Sequence, residues 1–136
     1  MSFDTRRKII SLAETGAVAA ELRRNGSPPA VAFVTHLEVL RAGHVRKLEE
    51  LAAETQGTLF VILTDPESSL TPLDARAELA AALRVVDYVV PAAGGAAPAL
   101  AAIQAGVTVH DEEEDRGRTR QLVEHVQSRI PKDMRR

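Results

Sequence analysis

Apolar positions along the chain fall into short continuous runs that are separated by stretches of helical spacing. The runs Val31 to Val34, Thr58 to Leu63, Val85 to Val90 and Val107 to Val109 are typical of buried parallel strands. Between them, apolar residues recur every three or four positions, as on one face of a helix. Strand and helix therefore alternate four times. This pattern predicts an α/β fold, a Rossmann-like doubly wound parallel sheet of about four to five strands with helices on both faces.

An additional helix is predicted before the first strand. Residues 4–24 carry apolar side chains at helical spacing and end at Asn25-Gly26, a pair that commonly ends a helix. We find no internal repeat and no linker composition. The sequence therefore predicts a single domain over residues 1–136, with the N-terminal helix in 1–26 and the core in 30–130.

The remaining helices are marked by local start and stop residues. Thr71-Pro72 is a typical helix start, and Gln56-Gly57 a typical helix end. We predict helices that begin near Gly43, Thr71, Ala97 and Arg118. The last of them carries the apolar residues Leu122, Val123, Val126 and Ile130. The acidic run Asp111 to Asp115 is predicted to be a solvated loop.

Composition excludes several classes of function. The chain has 136 residues, 45% apolar and 26% charged, as expected for a globular domain. Its net charge of −2, with three phenylalanines, one tyrosine and no tryptophan, argues against a nucleic-acid partner. The absence of cysteine excludes disulfides, thiol catalysis and cysteine-ligated zinc.

Charge and proline placement argue against a leader or a membrane segment. The residues at positions 4 and 6–8 are charged, so the N-terminus lacks the apolar core of a signal peptide. The weakly polar stretch 85–109 is interrupted by Asp87, Pro91 and Pro98, which is incompatible with a membrane span. We therefore expect a cytoplasmic protein with no membrane partner.

The segment Leu40-Arg41-Ala42-Gly43-His44 is the strongest candidate for chemistry. It lies between a predicted strand and a predicted helix, where backbone N–H groups and the helix dipole favour a phosphate. Arg41 and His44 could both donate to that phosphate. Alternatively, Arg41 pairs with Glu38 or with Glu49-Glu50, and His44 is only a polar residue at a helix start. Gly43 is expected to be required by the turn under either interpretation.

This segment is part of a longer family resemblance. The stretch from Val34 to Val45 resembles the first signature of the cytidylyltransferase-like nucleotidyltransferases, a Gly-x-Phe-Asp followed by His-x-Gly-His. Two further segments resemble heptose-phosphate adenylyltransferase and glycerol-phosphate cytidylyltransferase domains. A Pro-Leu-acidic-x-Arg helix of these domains is similar to Thr71-Pro72-Leu73-Asp74-Ala75-Arg76, and a Val-Asp-x-Val strand is similar to Val86-Asp87-Tyr88-Val89. The resemblance covers roughly residues 4–110, with a weaker similarity at 117–126.

The resemblance implies a function and a set of residues. Such enzymes transfer CMP or AMP from CTP or ATP to a sugar or polyol phosphate with Mg²⁺, and they commonly form homodimers. The implied catalytic residues are His44 and Arg41. The residues implied for nucleotide or phosphate binding are Thr35, His36, Gly43, His44, Asp65, Arg76, Arg118 and Thr119.

Simpler interpretations exist for several of these residues. His36 could be a solvated loop histidine, and Arg76 could pair on a helix surface with Asp74 or Glu78. Arg118 and Thr119, expected at a helix N-terminus, could bind an anion or neutralise the acidic run. That run lacks the glycine and asparagine spacing of a calcium loop, and His110 and His125 have no spaced partners. We therefore predict no metal ligands in the chain.

The departures from the family pattern concern the residues that drive catalysis. Thr35 stands where the family has a glycine, Leu37-Glu38 where it has the Phe-Asp pair, and Arg41 where it has the first histidine. In addition, the loop at 65–70 contains no lysine. Loss of one transition-state donor typically costs about 2.7–4 kcal/mol. We therefore predict an impaired or inactive relative that retains a nucleotide- or phosphate-binding site. The alternatives are an active nucleotidyltransferase and, third, an unrelated doubly wound domain with a chance Ala-Gly-His turn.

Overall fold

The parallel α/β sheet predicted from the sequence is confirmed. A computed structural model describes residues 4–66 and 69–129 of the chain. Within these residues, four strands pair in the order β3-β2-β1-β4, and every pairing is parallel. The strands are β1 (Val31–Thr35), β2 (Leu59–Leu63), β3 (Tyr88–Pro91) and β4 (Val107–His110).

Helices separate the strands along the chain. A 3-10 helix at Thr5–Lys8 precedes α1, and α5 follows the last strand. The five α-helices are α1 (Leu12–Arg24), α2 (Ala42–Thr55), α3 (Leu73–Ala81), α4 (Ala97–Ile103) and α5 (Glu112–Ser128). In the described part of the chain, none of these helices combines the length and apolar character that crossing a bilayer requires.

The sheet is buried on both faces because alternate side chains of a strand point to opposite sides. In β1, Val31 and Phe33 belong to a core cluster that also contains Leu48 of α2 and Ala77 of α3. Their neighbours on the other face, Ala32 and Val34 among them, pack with residues of α1 and α4. The continuous apolar runs of the sequence are explained by this double burial.

The order of the strands places a crevice beside the end of β1. The chain moves from β1 outward to β2 and β3, and then returns through α4 to β4 on the opposite side of β1. The carboxyl ends of these strands meet at one edge, since Thr35 is in register with Leu63 and Val34 with His110. Ligands of open α/β sheets bind at such a reversal.

The predicted N-terminal helix is not continuous. Ile9 forms a parallel bridge with Val89, and the N–H of Ile10 donates to the carbonyl of Val89 over 2.9 Å. Helix α1 begins only after Ser11, whose side chain and that of Glu14 cap each other's backbone N–H. This capping box places the helix start at Ser11 and leaves the preceding residues free to extend the edge of the sheet. Asn25-Gly26 ends α1 as predicted.

The acidic run is helical and partly buried, so its prediction as a solvated loop is wrong. Helix α5 begins at Glu112 rather than near Arg118, and Asp111 and Asp115 are buried. Four carboxylates in its first turn are favourable at the positive end of a helix dipole. Leu122 and Val126, expected on an apolar face, are exposed, and Ile130 lies outside the described residues.

Candidate functional site

His44 lies in the first turn of α2, as predicted, but both of its ring nitrogens are occupied. The backbone N–H of Arg41 donates to Nδ1 over 3.1 Å. Since that nitrogen accepts, the ring proton of the neutral imidazole is on Nε2. Nε2 donates in turn to Oδ1 of Asp115 over 2.7 Å. His44 therefore has no free nitrogen for a ligand.

Carboxylates and cations alternate around His44. Asp115 also accepts from Nη2 of Arg41 at 3.3 Å. Asp111 accepts from Nζ of Lys47 at 3.0 Å, and its second oxygen lies 3.8 Å from Nε2 of His44. We name these five residues, Arg41, His44, Lys47, Asp111 and Asp115, the α2 ion cluster. Its two carboxylates are balanced by two permanent cations, so Arg41 pairs with Asp115 and not with Glu38 or Glu49-Glu50.

The pairing shifts the pKa values of Asp115 and Lys47 towards the charged forms. Burial raises the pKa of Asp115, but His44, the charge of Arg41 and the backbone N–H of Glu38 lower it by more, so the pKa lies below its usual range. Burial lowers the pKa of Lys47, whereas hydrogen bonds to Asp111 and Glu114 raise it by more. Both side chains are therefore charged at neutral pH.

The same cluster contains the one group of possible metal ligands found among the described residues. Nε2 of His44 and one oxygen each of Asp111 and Asp115 lie within 4.8 Å of one another, a donor set that transition metals accept. However, Arg41 and Lys47 already bind these carboxylates. A divalent ion would have to displace at least one of them, so internal ion pairing fits the geometry better.

A cavity of about 380 Å³ lies on the other side of α5, next to the carboxyl ends of β1 and β2. We name it the α5 cavity. It combines apolar walls with two arginines and three buried polar side chains. Its lining residues are His36, Glu38, Pro66, Leu70, Arg116, Thr119, Arg120, Val123 and Glu124.

His36 is buried in the wall of the α5 cavity, so its interpretation as a solvated loop residue is wrong. Nδ1 lies 3.1 Å from the carbonyl oxygen of Thr64, which can only accept, so Nδ1 carries the ring proton. The hydroxyl of Thr64 donates to Oε2 of Glu112. Nε2 of His36 has no hydrogen-bond partner among the described residues.

Arg76 is fully buried and holds the ends of β1 and β2 together. Its Nη1 donates to the carbonyl oxygens of His36 and Thr64 at 2.7 and 2.9 Å. Its Nη2 pairs with Asp65. The suggested surface pairing with Asp74 or Glu78 is therefore wrong. Arg76 lines neither the α5 cavity nor the space beside His44.

Thr35 and Gly43 have different roles from those that the sequence indicated. The hydroxyl of Thr35, at the end of β1, is buried and lies 3.4 Å from Oδ2 of Asp111.

Gly43 lies within α2 and has no positive φ, so the turn does not require glycine there. A Cβ at this position would lie 3.0 Å from Nη1 of Arg118. Gly43 instead leaves room for the side chain of Arg118.

Arg118 and Thr119 do not lie at a helix N-terminus, which corrects the prediction. They lie in the middle of α5, where Arg118 forms an exposed ion pair with Glu114. Arg118 thus neutralises part of the acidic run. Thr119 is buried against the α5 cavity. Six of the predicted site residues therefore separate into two places, with Arg41, Gly43, His44 and Arg118 on one side of α5 and His36 and Thr119 on the other. Asp65 and Arg76, which pair with each other, line neither place.

Sequence reasoning missed Lys47, Asp111 and Asp115. A signal was present, because Asp111, Asp115 and Thr119 are spaced by four residues and so lie on one face of a helix. These three are the buried residues of α5 and its N-cap. Reading that spacing required the acidic run to be helical.

Comparisons with known proteins do not assign the chain to a family. No protein-family model matches the sequence, and a search of curated proteins finds no match. The α2 ion cluster and the α5 cavity are therefore the features from which a function can be inferred.

Proposed function

We propose that the chain is a catalytically inactive relative of the cytidylyltransferase-like nucleotidyltransferases that binds a nucleotide or a phosphorylated small molecule. One observation carries the first half of this proposal. His44, the residue expected to contact the reacting phosphate, has one ring nitrogen bonded to the backbone of Arg41 and the other to Asp115.

Nucleotidyl transfer requires hydrogen-bond donors that are free to stabilise the phosphate while its phosphorus is five-coordinate. His44 provides none while Asp115 is bound to it. Arg41, which stands at the position of the first family histidine, gives its Nη2 to Asp115, while its Nε and Nη1 have no partner among the described residues. Asp111 and Asp115 neutralise Lys47 and Arg41, so the place offers a triphosphate no net positive charge. The α2 ion cluster thus argues against nucleotidyl transfer at this place.

Retained binding is supported by the α5 cavity. It lies at the carboxyl ends of β1 and β2, the edge of a parallel sheet at which ligands bind. Arg116 and Arg120 form no ion pair with any residue in 4–66 or 69–129, so their charges are available for a phosphate.

The test combines binding and turnover. Isothermal titration calorimetry with CTP, ATP, CMP and AMP, each with Mg²⁺, should give saturable binding. Release of pyrophosphate from CTP or ATP with a panel of sugar and polyol phosphates should not exceed the rate without protein. Pyrophosphate release that His44→Ala abolishes and His110→Ala preserves would show an active enzyme. Absence of binding by all four nucleotides would refute the nucleotide as the ligand.

A further inference from the structure

We infer that the α5 cavity recognises the amino edge of a nucleobase, an exocyclic amino group beside a ring nitrogen, and that Arg116 and Arg120 receive the phosphate. Cytosine and adenine carry this edge, and uracil does not. The inference rests on the proposed nucleotide-binding function and defines its ligand. It places the phosphate on α5 rather than at Gly43 and His44, where the sequence suggested it.

Three buried polar atoms in the wall of the α5 cavity lack a hydrogen-bond partner among the described residues. They are Nε2 of His36, Oε1 of Glu38 and Oγ1 of Thr119. Their residues are only 3, 6 and 7% exposed. Buried polar atoms are nearly always paired, because an unpaired one loses its hydration without compensation. Three on residues that line one cavity, from a loop and a distant helix, would be satisfied by a ligand seated there.

The hydrogen-bonding character of the first two atoms is fixed by their neighbours. Because Nδ1 of His36 carries the proton, Nε2 presents a lone pair to the α5 cavity. Oε2 of Glu38 accepts from the backbone N–H of Leu70 at 2.7 Å, which leaves Oε1 as a second acceptor. The ligand must therefore bring at least two N–H or O–H donors to this part of the cavity.

Thr119 supplies the complementary donor. A threonine hydroxyl within a helix often donates to the carbonyl four residues earlier, as those of Thr15 and Thr55 do here at 2.7 Å. The hydroxyl of Thr119 makes no such bond, although it is buried in the middle of α5. It remains able to donate to an acceptor inside the α5 cavity.

The backbone between the two acceptors is in an unusual conformation. Leu37 has a φ of 51°, in the left-handed region that a leucine rarely adopts. Its side chain is buried in the core, and its N–H donates to the hydroxyl of Thr35 at 3.3 Å. Such conformations persist where the surrounding structure enforces them, and they cluster at ligand sites. Here the enforced turn lies between His36 and Glu38.

The amino edge of cytosine or adenine matches this arrangement. Its two amino hydrogens can be donated to Oε1 of Glu38 and Nε2 of His36, and its ring nitrogen can accept from Thr119. Uracil would place a carbonyl oxygen against the carboxylate of Glu38. A phosphorylated primary amine has the donors but lacks the ring acceptor. Sites built to bind an N–H group discriminate strongly against analogues that lack it.

The experiment compares CMP, AMP, UMP and phosphoethanolamine by isothermal titration calorimetry on the full chain. We expect CMP or AMP to bind at least ten-fold more tightly than UMP and phosphoethanolamine. Equal affinity for UMP would overturn the inference and leave the proposed function standing. Tighter binding of phosphoethanolamine would also overturn it, in favour of an amine ligand. No binding of any of the four would refute the inference, and nucleotide binding would fall with it only if CTP and ATP also failed to bind.

Two variants test the named atoms. Glu38→Gln replaces the free acceptor by an amide that can donate, so the preference between CMP and UMP should shift towards UMP by at least ten-fold. Glu54→Gln, the same change on the exposed surface of α2, should leave it unaltered. Thr119→Val replaces the hydroxyl by a methyl group and should weaken the binding of the preferred nucleotide about five- to ten-fold. Unchanged affinity and preference in both cavity variants would overturn the inference.

Discussion

Nε2 of His44 donates to Oδ1 of Asp115 over 2.7 Å, although 71 positions separate the two residues in the chain. Both are buried, one in the first turn of α2 and the other in the first turn of α5. The hydrogen bond therefore ties the helix after β1 to the helix after β4, on either side of the reversal in strand order. It also occupies the histidine that the sequence marks as the phosphate contact.

Asp115→Ala should destabilise the chain. The substitution leaves the buried Nε2–H of His44 and the guanidinium of Arg41 without their shared acceptor. Removing one partner of a buried charged pair typically costs about 3–5 kcal/mol of unfolding free energy. Urea denaturation followed by circular dichroism measures the loss.

Glu113→Ala is the matched control for that experiment, since Glu113 is an exposed carboxylate in the same helical turn. It should cost no more than about 0.5 kcal/mol. A loss below about 1 kcal/mol for Asp115→Ala would show that the α2 ion cluster contributes little to stability.

Acid should weaken the fold partly through Asp115. The pKa of this carboxyl is lower in the folded chain than the roughly 3.9 of an unfolded aspartate. The folded state therefore binds fewer protons between the two values. The stabilisation is complete above the unfolded pKa and is lost as the pH falls through the folded one. Unfolding free energies measured between pH 2.5 and 7 should fall less steeply below about pH 4 in Asp115→Asn. Identical slopes would contradict the assignment.

Arg76→Met should destabilise the chain by about 1–3 kcal/mol. Arg76 donates to the buried carbonyls of His36 and Thr64. The carbonyl of Thr64 keeps Nδ1 of His36 as a donor, so the carbonyl of His36 is the one that loses its partner, which costs about 1–3 kcal/mol. Methionine keeps most of the volume, so packing changes contribute little. Thermal or urea unfolding measures the effect. Arg84→Met, at an exposed position, is the control and should change stability by less than about 0.5 kcal/mol.

Thr119→Val should stabilise the ligand-free chain while it weakens nucleotide binding. The hydroxyl of Thr119 is buried without a partner in the described part of the chain, so its replacement by a methyl group removes an uncompensated desolvation cost. We expect a gain of about 0.5–1 kcal/mol. Differential scanning calorimetry without ligand gives the sign. A clear loss of stability would show that the hydroxyl has a partner in the folded chain.

The sheet could be predicted from the sequence because burial on both faces demands continuous apolar runs, and β1 and β2 carry them. The start of α3 at Pro72 and the end of α1 at Asn25 could also be predicted, since capping depends on a few neighbouring residues. The helical start of α5 was not visible in the same way. A run of five acidic residues is compatible with a solvated loop. The burial of Asp111 and Asp115 is explained only by their pairing with Lys47, His44 and Arg41.

The candidate site depended on contacts between distant segments, and these limited its prediction. His44 was located correctly at the start of α2, but the acceptor that occupies it is supplied by α5. The role of Arg76 likewise required knowledge that the backbones of His36 and Thr64 come together beneath it. Spacing within one helix was informative, as at Asp111, Asp115 and Thr119. Pairing between two helices, in contrast, could not be predicted from the sequence.

If the proposed function holds, Arg41→His, which places a histidine where the resembled signature has its first one, should not produce catalysis. Arg41→His supplies a second imidazole beside Gly43, yet His44 would still be bound to Asp115, and Asp111 would still face the reacting position. Removing Arg41 also deletes a cation that neutralises Asp115, which makes the place more repulsive to a triphosphate. We therefore expect no pyrophosphate release from CTP or ATP above that of Arg46→His, the same substitution at an exposed position of α2. An increase of about 10²-fold or more, the size expected for one recovered transition-state donor, would show that Arg41 alone blocks an otherwise competent enzyme.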